Sequence, residues 1–211
     1  SMLKNTERVT DSLTFVANKT SAGFEDMGTA MEYVGPVAHS LNISLEQASS
    51  AIGLLSNNGL EGEKAGTSLR GALSRLLKPT KQSAAAFEEL GVNLSDFKKG
   101  NLDLPTMIDD IKKSTEGMTA AEKSSLITKA FGVEAQTGMN ILVAQGGDAL
   151  RNLTKETQNA TGYTKKLADQ MNISDKNAFN KAKATSEVLT IDLGDKLLSS
   201  NIPAVKEIDN L

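Results

Sequence analysis

The sequence predicts an all-α protein, an irregular bundle of several short helices with a longer helix near the C-terminus. Apolar residues recur three or four positions apart along most of the 211 residues, which is the period of a helix with one buried face. The 17 glycines and 4 prolines interrupt this pattern at short intervals, so the chain cannot form one continuous helix. Long alternating runs of β-branched residues are missing, which argues against an extended sheet.

The N-terminal part, from about residue 6 to residue 38, has the helical period but is interrupted. Gly23 and the pair Gly35-Pro36 are expected to break it, because glycine and proline are unfavourable inside helices. The pattern therefore predicts helices on both sides of Gly23 and a break at Pro36. The apolar positions in this part are Leu13, Val16, Phe24, Met27, Met31 and Val34.

The clearest predicted helix begins after Ser44. The order Ser44, Leu45, Glu46, Gln47 has the form of a capping box, in which the serine oxygen accepts an early backbone N–H and the glutamine reaches back. Gly59, after two asparagines, is expected to end this helix in a left-handed conformation. The residues on its apolar face are Leu45, Ala48, Ile52 and Leu55.

A second helix is predicted from about Glu61 to Lys78. It ends there because the residue before Pro79 is disfavoured in the helical region. Its apolar stripe consists of Ala65, Leu69, Ala72 and Leu76, widened by Leu73 and Leu77.

Two short helices are predicted next. One runs from Lys81 to Leu90 and is closed by Gly91, and the other runs from Pro105 to about Glu116, since proline suits the first helical turn. The segment 92–103 between them is expected to hold a turn or a small hairpin around Gly100-Asn101.

Capping signals also organise the region after residue 118. Thr119 and Glu122 have the capping-box spacing and predict a helix that continues to Gly132. Helical spacing then continues through residues 135–145, and Asp148 is predicted to cap a helix that ends near Gly162. The apolar residues of these helices are Leu126, Ile127, Ala130, Phe131, Ala135, Met139, Leu142, Leu150 and Leu153.

Leu167 and Met171 indicate one further helix, and a long amphipathic helix is predicted from Ser174 to about Ser199, interrupted only by Gly194. Its apolar face could pack within the monomer or pair between two chains. The residues of that face are Phe179, Ala182, Ser186, Leu189, Leu193 and Leu197.

Composition excludes several classes of function. The absence of cysteine excludes disulfides, thiolate metal sites and cysteine nucleophiles. The formal net charge of -3 gives no general attraction to nucleic acid or to anionic lipid. A signal peptide is not expected after Met2, and no apolar run is long enough to predict a transmembrane helix.

The segment from Gly59 to Ser68 superficially looks like a phosphate-binding loop. The motif requires four residues between the first glycine and a Gly-Lys-Ser/Thr triplet, whereas here Lys64 precedes Gly66 and Thr67 follows it. A helix instead of a strand also precedes the segment. We therefore expect a connector between two helices.

No residue is predicted to be catalytic, to bind a cofactor or to hold a metal. The pairs Glu88-Glu89 and Asp109-Asp110 are adjacent on helices, so their side chains diverge by about 100° and do not converge on one bond. His39 is the one histidine and cannot complete a transition-metal site or activate a serine in a recognisable motif.

The one local concentration of positive charge consists of Arg70, Arg75, Lys78 and Lys81. No aromatic residues lie between them, so the pattern favours salt bridges or solvated side chains over nucleic-acid binding. Contact with DNA is the alternative.

Residues across most of the chain resemble, in order and spacing, the core region of phage tail tape measure proteins, also called phage-related minor tail proteins. The likeness covers about residues 24 to 203, with the mild departure that the family often has Ile-Gly where this chain has Leu193-Gly194. The matching residues are Leu54, Leu55, Ser56, Asn57, Asn58, Gly59, Leu60, Gly62, Ala65, Gly66, Thr67, Leu69, Arg70, Leu73, Leu76, Pro79, Thr80, Lys81, Leu90, Gly91, Val92, Glu122, Phe131, Gly132, Ala135, Gly138, Leu193, Gly194, Asp195, Lys196 and Leu197.

The resemblance implies a structural, non-enzymatic segment of a bacteriophage or prophage protein that sets tail length and assists tail assembly and DNA delivery. Residues 1–23 are then an N-terminal helical extension and residues 24–211 a core helical domain. Implied partners are tail tube and tail tip or baseplate proteins and tail assembly chaperones, with self-association possible and neither membrane nor DNA contact expected. The implied location is the interior of the virion tail tube, and the host cytoplasm during assembly.

A helical adaptor or scaffold module of a phage tail or a related contractile injection particle is the alternative. A wall hydrolase is a third class, for which the sequence shows no motif.

Overall fold

In the computed structural model, residues 2–101, 103–170, 177, 180–181 and 183–191 are described. Every regular element among them is an α-helix, which confirms the predicted all-α multi-helix fold. The helices are α1 (Met2–Lys19), α2 (Phe24–Ser40), α3 (Leu45–Ser56), α4 (Gly62–Leu77), α5 (Lys81–Glu89), α6 (Leu94–Lys99), α7 (Leu104–Ser114), α8 (Ala120–Phe131), α9 (Val133–Gln145), α10 (Gly147–Gln158) and α11 (Tyr163–Gln170).

The long C-terminal helix predicted for residues 174–199 falls largely outside the described residues, as does Met171. The described positions from 183 to 191 are helical. Leu189 is fully buried there, and its Cδ1 lies 3.5 Å from the point that a Cβ on Gly28 would occupy. This part of the chain therefore lies against α2, and the full extent of the predicted helix stays a prediction.

Helix α4 lies between α2 and α9, while α3 packs against both α1 and α10. Their apolar faces form one hydrophobic cluster. Phe87 of α5 and Phe131 of α8 meet edge to face in it, with ring centroids 4.8 Å apart. The largest fully buried side chains are Phe87, Phe131, Leu13, Met27, Met31, Leu45, Ile52, Leu55, Leu69, Leu73, Leu76 and Leu90.

Most predicted helix ends are confirmed. The Ser44 side chain accepts the N–H of Gln47, and Thr119 and Glu122 form a reciprocal capping box. Helix α4 ends at Leu77, before Lys78 and Pro79, and Gly59 has a φ of 79°. These ends depend on neighbours in sequence, so local chemistry predicts them.

The predicted break at Gly35-Pro36 is wrong, because α2 continues through both residues to Ser40. Pro36 and Glu32, whose carbonyl lacks the N–H that proline cannot donate, are both exposed, so water can reach that carbonyl. Gly35 has no Cβ to clash with the proline ring. The buried stripe then continues to Ala38, and its packing favours the uninterrupted helix.

The turn or hairpin expected in residues 92–103 is also wrong, because α6 forms there. The Asn93 side chain accepts the N–H of Asp96 and so caps the helix, while Gly100 ends it with a φ of 76°. Phe97 is buried in the hydrophobic cluster. Burial of this one aromatic ring stabilises a helix that is too short to be stable alone.

Asp148 is not the N-cap of α10, contrary to the prediction. The helix begins one residue earlier, at Gly147, whose N–H donates to Asp109 Oδ1 of α7 at 2.7 Å. Arg151 donates to Asp109 Oδ2 at 2.7 Å and to Asp148 Oδ1 at 2.8 Å. A carboxylate from another helix therefore caps α10.

This tertiary cap gives a pH-dependent prediction. Burial opposes ionisation, but hydrogen bonds from Arg151 and Gly147 hold the pKa of Asp109 below its ordinary value of 3.8. The stabilisation is therefore fully present above that value and is lost as the pH falls through the lower, folded-state pKa. We expect Asp109→Asn to destabilise the chain at pH 7 and the difference from the native chain to shrink in acid. Urea unfolding of both chains at pH 7 and in acid measures the difference in free energy of unfolding. A difference that does not change with pH would contradict the role of Asp109.

Two buried polar contacts join α1 to the rest of the bundle. Asp11, 8% exposed, accepts the N–H groups of Gly162 and Thr164 at 2.7 and 2.9 Å and so caps α11. Arg8 donates two hydrogen bonds, of 2.6 and 2.8 Å, to the buried carboxylate of Glu46 on α3. Such charged groups are stable in the interior only when they are paired or hydrogen-bonded, so these contacts favour the observed position of α1.

Candidate functional site

Three of the four basic residues singled out in the sequence lie in one surface groove. The groove runs between α4 and the junction of α8 with α9, and we call it the α4–α9 groove. Lys81, at the start of α5, does not line it. The lining residues are Arg70, Gly71, Ser74, Arg75, Lys78, Phe131, Gly132, Val133 and Glu134.

Helical spacing on α4 accounts for the positive side of this groove. Arg70 and Ser74 are four residues apart on one face of α4, and Lys78 follows as the C-cap residue after the helix, while the opposite face carries buried residues such as Leu69 and Leu76. Arg75 lies beside this row, with Nη2 3.1 Å from the point that a Cβ on Gly132 would occupy. The groove is therefore a consequence of the amphipathic pattern of α4.

The arginines of the groove are held by neutral groups. The guanidinium of Arg70 stacks on Tyr33 at 5.3 Å from the ring centroid, and Arg75 Nη1 lies 3.5 Å from Thr80 Oγ1. Within the described residues, none of the four basic residues forms an ion pair with a carboxylate. Among the described residues, this cluster therefore consists of solvated cations and not of salt bridges.

A second cleft adjoins the groove on the side of α2 and shares Arg70 and Ser74 with it. Glu32 also lines this cleft, and a hydrogen bond with Glu63 raises the pKa of Tyr33 above its usual range. Carboxylates therefore lie along this side of the basic residues.

The opposite wall of the groove is partly apolar. Val133, the first residue of α9, is 77% exposed, whereas Phe131 at the end of α8 is 2% exposed. Gly132 between them has a φ of 90°, a conformation that glycine adopts without strain. This glycine turns the chain from α8 into α9 and leaves the Val133 side chain at the surface.

The segment that looks like a phosphate-binding loop is a connector between α3 and α4. Helix α4 begins at Gly62, and Asp26 Oδ1 of α2 lies 2.9 Å from the point that a Cβ on Gly62 would occupy. A carboxylate at this position would repel a phosphate. The geometry thus agrees with the interpretation from spacing.

The other candidate groups are exposed, half-buried or already hydrogen-bonded. Glu88 and Glu89 are exposed, and Asp109 is bound to Gly147 and Arg151. His39 is half-buried at the end of α2. No group of three or more histidine or carboxylate side chains that could hold a metal occurs among the described residues.

None of the helices in the described ranges combines the length and the apolar character that a bilayer-spanning segment needs.

Sequence reasoning missed two parts of this surface. The exposure of Val133 depends on the turn at Gly132, which the pattern predicts only as a helix end. The stacking of Arg70 on Tyr33 joins residues of different helices. Neither feature has a local sequence signal.

Comparison with known proteins shows which family the chain resembles. Residues 1–132 match the family model described as phage-related minor tail protein. The tape measure protein of Pneumococcus phage Dp-1 is 37% identical over 163 residues, which cover 77% of this chain and 14% of that protein. The probable tape measure protein of Escherichia phage P2 is 31% identical over 189 residues, 88% of this chain and 23% of that protein. No solved structure matches the chain.

Proposed function

The chain belongs to the phage-related minor tail protein family, and from this membership we propose that it is a folded structural segment of a longer tape measure protein. The observation that carries the proposal is its similarity to two relatives named tape measure protein and probable tape measure protein. The chain spans 14% and 23% of their lengths, so the role of the whole protein extends beyond what this segment does alone.

In this proposal the whole protein lies inside the tail tube, sets the tail length and assists DNA delivery. The present segment does not act as the extended ruler, because its short helices fold back on one another around a common core. It acts as a docking or anchoring module for tail tube and tail tip or baseplate proteins and for assembly chaperones. It supplies no catalysis, an inference supported by its structural tail family.

We also propose that residues 1–23 form a helical extension docked on a core of residues 24–211. The buried contacts of Asp11 and Arg8 on α1 support the docking of this extension. The position of the boundary stays a prediction.

Deletion of this segment from a phage that encodes it tests the docking role. The matched control removes the same number of residues from a predicted helical region elsewhere in the same reading frame. We expect the control phage to assemble shorter, infectious tails, because the tail of a phage shortens in proportion to the residues removed from its tape measure protein. The segment deletion is expected to reduce infectious titre far more than the control.

Electron microscopy of tails and plaque counts measure the two outcomes. Shorter but fully infectious tails from both deletions would show that the segment adds only length and would refute the docking role. Unchanged tail length in the control would refute the tape measure role itself.

A further inference from the structure

We propose that the α4–α9 groove binds an acidic peptide segment of a partner protein, with one apolar side chain of that segment packed against Val133. The proposal goes beyond the tail role, because it is argued from the side chains of this chain and does not depend on which particle contains it.

The first argument is charge. Arg70, Arg75 and Lys78 line one groove, and in the described part of the chain none of them is paired with a carboxylate. Cations held close together repel one another, and an anion that enters the groove relieves this repulsion. The net charge of the chain is -3, so this positive patch differs in sign from the molecule as a whole. The groove is therefore a local site for a negatively charged ligand.

The second argument is preorganisation. Tyr33 holds the guanidinium of Arg70 through its ring, and Thr80 lies 3.5 Å from Arg75. Neither neighbour cancels the positive charge. Side chains that are already ordered lose less conformational entropy when a ligand binds, and arginine pairs with carboxylates through two parallel hydrogen bonds. The groove is thus suited to carboxylate groups.

The third argument distinguishes a protein ligand from nucleic acid. Val133 is 77% exposed beside the cations, and an apolar partner side chain would bury it, as in the centre of protein interfaces. The aromatic lining residue, Phe131, is 2% exposed and offers no ring face for a nucleobase to stack on. Glu134 in the groove and Glu32 in the adjoining cleft would repel the closely spaced phosphates of a duplex. A short acidic peptide can avoid these carboxylates by its sequence.

Fluorescence polarisation with the full chain and labelled probes tests the proposal. The first probe is a peptide of aspartates spaced by serines with one central leucine, and the second has serine in place of the leucine. A peptide of lysines and a DNA duplex of about 20 base pairs complete the set. We expect the leucine peptide to bind more tightly than the serine peptide, and the lysine peptide not to bind.

The groove variant is Arg70→Gln with Arg75→Glu. The matched control makes the same change in charge on α11, Lys165→Gln with Lys166→Glu, at two exposed residues that do not line the groove. We expect affinity for the leucine peptide to fall about tenfold or more in the groove variant and less than about twofold in the control. Val133→Ser, at a surface position where the fold is not at risk, is expected to remove the preference for leucine over serine.

Three outcomes would overturn the proposal. They are no binding of the leucine peptide by the native chain, equal losses in the groove and control variants, and groove-dependent binding of the duplex in preference to the peptide. Far-UV circular dichroism checks that each variant is folded. If the arginine variant does not fold, the leucine preference of Val133→Ser tests the proposal instead.

Discussion

Replacing Gly66 by alanine is expected to destabilise the chain by about 1–3 kcal/mol, because the added carbon overpacks the contact between α2 and α4. A Cβ at this position would lie 2.9 Å from both the Cα and the carbonyl oxygen of Ala30, and 3.0 Å from the Cβ of Tyr33. Two of these atoms belong to the backbone and cannot rotate away. The helices would have to separate, which would loosen the packing of Met27, Met31 and Leu69 around them.

Gly71→Ala is the matched control on the same helix. Its nearest neighbours would be the Cβ atoms of Glu134 and Ala135, both at 3.7 Å, an ordinary contact distance. Alanine is favoured over glycine in a helix, so we expect unchanged stability or a gain of up to about 1 kcal/mol. Urea unfolding of both variants, followed by far-UV circular dichroism, gives the comparison. Equal effects of the two substitutions would mean that α2 and α4 do not approach as closely as described.

Asp11→Ala is expected to reduce stability by about 2–3 kcal/mol, because hydrogen bonds to a buried charged group contribute strongly and their loss leaves donors unsatisfied. The carboxylate accepts the N–H groups of Gly162 and Thr164 at the start of α11. In Asp11→Ala, these two N–H groups lose the acceptor that they have in the native chain. Asp11→Asn retains one acceptor oxygen and is expected to have a smaller effect.

Hydrogen exchange and unfolding together test this role. The amides of Gly162 and Thr164 are expected to exchange faster in Asp11→Ala than in the native chain. Asp169→Ala, at an exposed position of α11, is the control and is expected to change stability by at most about 0.5 kcal/mol. Equal stability and exchange in the two variants would show that Asp11 does not cap α11.

Elements whose ends depend on sequence neighbours could be predicted. Ser44 and Thr119 bind N–H groups three residues ahead, and Gly59 adopts a conformation that other residues avoid. The apolar spacing then identifies the buried face, as with Leu69 and Leu76 on α4. These features require no knowledge of the rest of the fold.

Elements that depend on tertiary contacts could not be predicted. Pro36 lies within α2 because its missing hydrogen bond faces solvent, and exposure is a property of the folded chain. Helix α10 begins before Asp148 because Asp109, 38 positions from Gly147, supplies the cap. Asp11 is 151 positions from Gly162. No local pattern signals a pairing at such separations.

The candidate groove also combines features that local sequence predicts with features that depend on tertiary contacts. The spacing of Arg70, Arg75 and Lys78 on a predicted helix indicates that positive charge is concentrated there. Whether carboxylates neutralise this charge depends on side chains from other helices. Sequence spacing therefore cannot decide between salt bridges and solvated side chains. The family resemblance, by contrast, depends on residue identity in order, and the match of residues 1–132 confirms it.

Small-angle X-ray scattering of the purified chain most directly tests the central claim, that the chain is a compact helical module. A compact chain of this length is expected to have a radius of gyration of about 17 Å. One continuous helix of the same 211 residues would be about 320 Å long and would scatter as a rod with a radius of gyration several times larger. A value near the compact one supports the account, and a rod-like profile would contradict it.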